Sequence, residues 1–171
     1  MATPADAESV GNIQAALWPE AYAALLPEEA LAAFRPEEFT RAWRRSLEDP
    51  PTGAYRLLVA LAGPEVVGFL AVGPSIDPDA SPTDAEILVG GVHPAARQQG
   101  HGSRLLNAAV DTLRDQGFST MRTWLLASDE ATQKFLGAAG LILDGARRNR
   151  LVGPTERDVA AEVRLAANIS G

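Results

Sequence analysis

The chain has 171 residues, a formal net charge of −7, 46% hydrophobic and 22% charged residues, and no cysteine. That length predicts one domain, spanning 1–171, with a sizeable core, and the missing cysteine excludes disulfides, thiolate metal sites and a cysteine nucleophile. The acidic balance argues against nonspecific nucleic-acid binding, which needs a basic surface, and mildly favours cationic small molecules.

No apolar run reaches the roughly 18 residues of a membrane span. The opening "MATPADAESV" lacks the basic and apolar blocks of a signal peptide, so a cytoplasmic protein is expected. Residues 6–47 predict helices. In "DAESVGNIQAALW", Val10, Ile13 and Leu17 recur at helical spacing. "LPEEALAAF" and "RPEEFTRAWRRSLE" each place Glu-Glu behind a Pro, a helix start, and "EDPPTG" stops the run. "AYRLLVALA" and "VVGFLAVGP", separated by "GPE", predict a hairpin. "PSIDPDASPTD" predicts a loop long enough to be mobile.

"AEILVGGVHP" is a third strand, whose Gly90-Gly91 pair predicts a bulge or a close approach to the backbone. A helix follows from Gly100 to Gln116, with Leu105, Leu106, Ala109, Val110 and Leu113 as its apolar stripe and Gly117 as its end. "FSTMRTWLLAS" is a strand. "DEATQKFLGAAG" is a short helix, with Ser128 or Asp129 as N-cap and Gly140 as terminator. "LILDGARRNRLV" and "DVAAEVRLAAN" are closing strands. This order predicts an α/β domain, one mixed sheet with helices on both faces.

The junction "VHPAARQQGHGSRLL" carries the most chemical information. A helix N-terminus offers unpaired N–H groups and the positive end of a dipole, and a glycine-rich entry lets the backbone close on a phosphate. Gly100 and Gly102 permit that approach, and Arg97 adds charge. A P-loop would need Gly-Lys-Ser/Thr, which "GHGS" lacks. A dinucleotide fingerprint would need a third glycine where Leu105 stands, near the first strand of the fold. The pattern R/Q-x-x-G-x-G/A is filled by Arg97, Gln98, Gln99, Gly100, His101 and Gly102.

With that motif in "AEILVGGVHPAARQQGHGSRLL", followed by "TWLLASDEATQKFLGAAGLILDGA" and "AEVRL", the chain resembles the GNAT superfamily of acetyl-CoA-dependent N-acetyltransferases over roughly residues 2 to 168. The resemblance implies a central, mostly antiparallel sheet flanked by helices. It implies acetyl-CoA as co-substrate, with the pantetheine arm between the third and fourth strands, which splay at the Gly90-Gly91 bulge. Backbone groups of Gly90, Gly91 and Val92 would pair with that arm. N–H groups from Gln98 to Ser103 would hold the pyrophosphate, and Asp129 and Phe135 would complete the site. Asp129 stands where the family often has an Asn that contacts the arm; as a helix N-cap it has a purely structural role too. The family's first strand has no counterpart here: either the sheet lacks that edge or the chain begins upstream of Met1. A homodimer is also implied by the family.

Amide formation needs a neutral amine, whereas an alkyl ammonium has a pKa of about 10.4. A base must therefore take its proton, directly or through water. Glu86 lies on the strand before the glycine motif, where family members that use a strand glutamate carry it. His93 is the second candidate, and His101 reads as a spacer in the phosphate loop. Many family members carry a tyrosine in the short helix to protonate the leaving thiolate; Leu136 stands there and cannot. Tyr22, Tyr55 and Ser128 are the substitutes available. Trp18, Tyr22, Phe34, Phe39 and Trp43 read as core packing or as walls of an acceptor pocket, Trp124 as packing, and Arg147, Arg148 and Arg150 as a solvated strand face or as a contact for the 3′-phosphate of CoA or an acidic partner. The expected activity is direct acetyl transfer to a primary amine. The competing reading is a non-catalytic CoA-binding or ligand-sequestering protein.

Overall fold

The computed structural model describes residues 1–50, 53–153 and 155–171. Helices α1 (Ala7–Tyr22), α2 (Glu28–Leu31) and α3 (Pro36–Glu48) come first. Strands β1 (Arg56–Ala62), β2 (Glu65–Pro74) and β3 (Asp84–Val92) follow, then α4 (His101–Asp115), β4 (Thr120–Leu126), α5 (Glu130–Ala138), β5 (Ile142–Leu151) and β6 (Val159–Asn168). The sheet order is β1-β2-β3-β4-β6-β5. Every neighbouring pair is antiparallel except β3 and β4. β1 is an edge strand, and on its outer side Ala2 N donates to Leu57 O at 2.8 Å.

The alternation of strand residues divides the core between two faces. On one face, Leu58, Val72, Ile87, Met121 and Leu165 meet Leu105, Leu106, Ala109 and Leu113 of α4 and Leu136 of α5. On the other, Val10, Ile13 and Leu17 of α1 cover Leu57, Phe69 and Ala71. Both stripes follow the predicted helical spacing. Helices α1 and α3 cross closely because Gly11 has no side chain: a Cβ there would lie 2.4 Å from Thr40 Oγ1 and 2.7 Å from Thr40 N.

Two expectations need correction. The irregularity between β2 and β3 is not at Gly90-Gly91. Ala71 pairs with Val89 and Val72 with Ile87, so Leu88 is the extra residue, while Gly90 and Gly91 pair regularly with Leu70 and Phe69. The glycines serve close approach instead. A Cβ on Gly91 would sit 2.5 Å from Leu17 Cδ1, and one on Gly90 would sit 2.7 Å from Phe69 O. The segment 75–83 is also tied down rather than loose: Asp77 and Asp79 both bond Arg164 on β6, at 2.9 and 2.7 Å.

Candidate active site

Strands β3 and β4 pair only from Asp84–Thr120 to Ile87–Thr123. Thr123 Oγ1 donates to Ile87 O at 3.2 Å at the crotch. Beyond it β3 runs on to Val92 and β4 to Leu126 without pairing, so the sheet forks. The predicted splay is present, but it starts at Ile87. Gly90, Gly91 and Val92 line the β3 arm of the fork.

The segment after β3 turns through Pro94–Ala96 into α4. Gln98 and Gly100 both adopt left-handed backbone conformations, with φ of 61° and 80°. Those turns direct successive N–H groups toward one concave side. The first helical bond is Arg104 N to Gly100 O at 3.1 Å. Among the described residues, no protein group accepts from the six N–H groups of Gln98 to Ser103. Phe135 of α5 lies at the mouth: a Cβ on Gly102 would meet its ring tip at 3.3 Å. His101 is buried, its Nδ1 2.8 Å from Arg104 Nη2, and Ser103 is exposed. Gln99 Nε2 donates to Ala95 O at 3.5 Å.

Arg97 departs from expectation. Its guanidinium makes a two-pronged pair with Glu20 of α1, at 2.9 and 2.8 Å, instead of turning its charge to the helix start. The hydrogen bond from Arg97 holds the Glu20 carboxyl below its usual range.

Glu86 lies on β3 beside the crotch and is 8% exposed. Among the described residues, its carboxylate receives one hydrogen bond, from Ser75 Oγ at 3.3 Å. Burial raises its pKa above the usual 4.5 and the charge of Asp77 raises it further, against the hydrogen bond from Ser75 and the charges of Arg148 and Arg164. No arginine forms an ion pair with it among the described residues. A carboxylate held this way takes a proton more readily than an exposed one. His93, the other candidate base, lies seven residues along the chain, roughly 20 Å at strand rise. Its Nδ1 accepts from Ala95 N at 3.2 Å, which makes it a turn cap.

Around Glu86 spreads a charged face that the sequence reading missed. Trp124 Nε1 donates to Asp77 at 3.0 Å. Arg164 bonds Asp77, Asp79 and Asp144. Buried Glu162 receives Arg148 Nε at 2.6 Å and Arg150 Nε at 2.9 Å. Arg148 and Arg150 lie on an exposed strand face, as expected, but their Nε groups are tied down to Glu162. Arg148 stacks 4.2 Å over Trp124, so Trp124 does more than pack. The available signal was the spacing of two in Arg122/Trp124, Arg148/Arg150 and Glu162/Arg164, which puts each pair on one face of its strand.

The remaining candidates make contacts within the protein. Asp129 caps α5, accepting from Thr132 N at 3.0 Å. Leu136 is buried in the α4 core. Tyr22 OH accepts from Arg150 Nη2 at 2.7 Å. The Tyr55 ring fills the space a Gly73 side chain would take. Trp18, Tyr22, Phe34 and Phe39 pack in a closed ring of contacts 6.0–6.2 Å apart, and Trp43 packs on Phe69.

A sheet forked between its parallel strands, with a donor-lined helix start at the mouth, is the architecture the resemblance implies for acyl-CoA-dependent acyltransferases. The family model described as Acetyltransferase (GNAT) family matches residues 15–141. The chain therefore belongs to the GNAT acetyltransferase family and is an acyltransferase. Its fold is similar to that of the PaiA N-acetyltransferase from Thermoplasma acidophilum in complex with coenzyme A (TM-score 0.72, 16% identity, 98% of this chain and 95% of that one). It is also similar to a ribosomal-protein-alanine N-acetyltransferase from Brucella melitensis (0.70, 20%, 98% and 96%). A third likeness is an N-acetyltransferase from Staphylococcus aureus Mu50 (0.69, 18%, 99% and 96%). No curated protein matches the sequence. No helix among the described residues is long and apolar enough to cross a membrane.

Proposed function

We propose that the protein transfers an acetyl group from acetyl-CoA to a primary amine by direct attack in a ternary complex, with Glu86 as the base. Glu86 carries this reading: a buried carboxylate with a raised pKa and no arginine ion pair, on the strand that forms one side of the fork. The six free N–H groups from Gln98 to Ser103 fit a pyrophosphate, since each needs an acceptor and the helix start favours negative charge. The β3 backbone at Gly90, Gly91 and Val92 would hold the pantetheine arm, and Phe135 and Asp129 would border it. Bound acetyl-CoA supplies the activated thioester carbonyl. Glu86 takes the amine proton, directly or through water, as the amine attacks. Its burial raises its pKa, which makes it a better proton acceptor than an exposed carboxylate. Leu136 donates nothing to the leaving sulfur; a thiol of pKa about 8.5 leaves without a donor more readily than an alkoxide would.

Replacing Glu86 with Gln tests this. The expected loss in kcat/KM is about 10²–10⁴-fold, with acetyl-CoA affinity essentially retained. In the wild type, kcat/KM falls as pH drops through the raised Glu86 pKa; the variant lacks that limb. Unchanged turnover would reject the role.

A further inference from the structure

On the charged face beside Glu86, Arg148 is the arginine that, among the described residues, has neither Nη group hydrogen-bonded. Arg148 is fixed at two points: its Nε is bound 2.6 Å from the buried Glu162 carboxylate, and its guanidinium plane lies 4.2 Å over Trp124. Its outer end is not used. Among the described residues neither Nη1 nor Nη2 makes a hydrogen bond, and Asp77 Oδ1 lies 3.8 Å from Nη1. Asp77 has already committed its oxygens to Trp124 and Arg164. The Arg148 side chain is 38% exposed, so the free fork opens to the surface. A guanidinium locked at Nε with its Nη groups free is a preformed receptor for a planar carboxylate, which it meets with two parallel bonds.

This fork lies on the same sheet face as Glu86. Glu86 pairs with Arg122, Trp124 stands two residues further along β4, and Trp124 lies beneath Arg148. The Arg148 charge is close enough to favour the ionised form of Glu86. The face therefore offers acid and base side by side: Glu86 and Asp77 toward β3, Arg148 and Arg150 toward β5. A simple anion would meet those carboxylates, and a simple cationic amine would leave the Arg148 fork unused. A molecule carrying both charges satisfies both sides.

We propose that the acceptor is a free, zwitterionic amino acid, with its ammonium directed to Glu86 and its carboxylate received by the Nη groups of Arg148. The inference rests on the acetyltransferase reading and narrows its acceptor to one class. Arg150 supports the site from the side, held by Glu162 and by Tyr22 OH at 2.9 and 2.7 Å.

The test compares amino acids with their own amides and decarboxylated amines, using acetyl-CoA and following CoA release from the wild-type protein. The amide keeps the amine and removes only the negative charge. The expected result is a kcat/KM for at least one amino acid that is roughly tenfold to hundredfold above its amide, the range of a charge-assisted bond. Arg148→Gln collapses that ratio, mainly through KM for the acid. Arg148→Lys, which keeps the charge but not the fork, restores it only in part. Should a variant misfold, the wild-type ratio still decides. If amides or decarboxylated amines are acetylated as well as the acids, the inference is overturned while the acetyltransferase reading stands. If no amine is acetylated, that reading fails, and the melting temperature of the CoA-bound protein decides this one. An amino acid that raises it where its amide does not supports the subsite; no shift with any amino acid overturns it.

Discussion

Arg164→Leu removes the cation that fastens the 75–83 segment over the sheet. Arg164 and Asp77 are both more than nine-tenths buried at their side chains, and their contact is 2.9 Å. Without the guanidinium, Asp77 keeps the Trp124 N–H and an arginine 3.8 Å away. Leaving one partner of a buried pair uncompensated costs roughly 3–5 kcal/mol. Asp79 is largely exposed and rehydrates, so it adds little. In a domain of this size each kcal/mol lowers the melting temperature by about 2–4 °C, giving a fall of roughly 6–20 °C at pH 7. Thermal unfolding followed by circular dichroism measures it, with Arg41→Gln as comparison. The Arg41–Glu38 pair is exposed on both sides, and losing it costs less than about 1 kcal/mol. Acidity supplies a second signature. Arg164 lowers the Asp79 carboxyl from 3.8 to about 2. A depressed carboxylate contributes stability that is complete above its unfolded pKa and is lost as pH falls through the folded one. The small part of the gap that Asp79 carries is therefore lost between about pH 4 and pH 2, so the gap narrows slightly there. A fall below 2 °C at pH 7, or a gap that widens on acidification, would refute the reasoning.

Gly11→Ala forces a methyl against the Thr40 backbone and should cost about 1–3 kcal/mol by overpacking, visible as a lower urea midpoint. Gly90→Ala and Gly91→Ala should differ. The first meets the Phe69 carbonyl and Leu70 Cα, whereas the second meets only the movable end of Leu17, so Gly90→Ala gives the larger drop in melting temperature. An equal drop would show that α1 cannot yield. Glu20→Gln releases Arg97 from its two-pronged pair. Acetyl-CoA should then bind up to about fivefold tighter by calorimetry, the worth of an exposed pair; weaker binding would mean that Glu20 positions Arg97 productively.

The helices and strands were legible because their apolar spacing is local: Val10, Ile13 and Leu17, or Leu105, Ala109 and Leu113, state their buried face without reference to any partner. The phosphate-loop candidate was legible for the same reason, since the free N–H groups follow from a glycine-bearing helix start alone. The bulge was misplaced because an unpaired residue is a property of two strands. Gly90-Gly91 looks weak in isolation, yet alignment with β2 leaves out Leu88. The 75–83 segment was misread because Pro, Asp and Ser compose a mobile loop and a clamped one alike. The difference is Arg164, 87 positions from Asp77. The Arg97–Glu20 pair was hidden for the same reason, because Glu20 comes from another element.

The availability of Glu86 as a base depends on that same long-range charge arrangement. Register places it directly opposite Arg122 on the neighbouring strand. An ion pair there would hold its pKa low and remove it as a proton acceptor. Arg122 is drawn away instead: Asp84, two residues before Glu86 and on the same face, takes it at 2.7 Å, and Asp79 takes it at 3.1 Å. Arg164 is occupied by three aspartates and Arg148 by Glu162. Among the described residues, six carboxylates share this face with four arginines, and the pairing leaves Glu86 as the one without a guanidinium partner. A buried carboxylate is thus left unpaired at the place where the sheet forks.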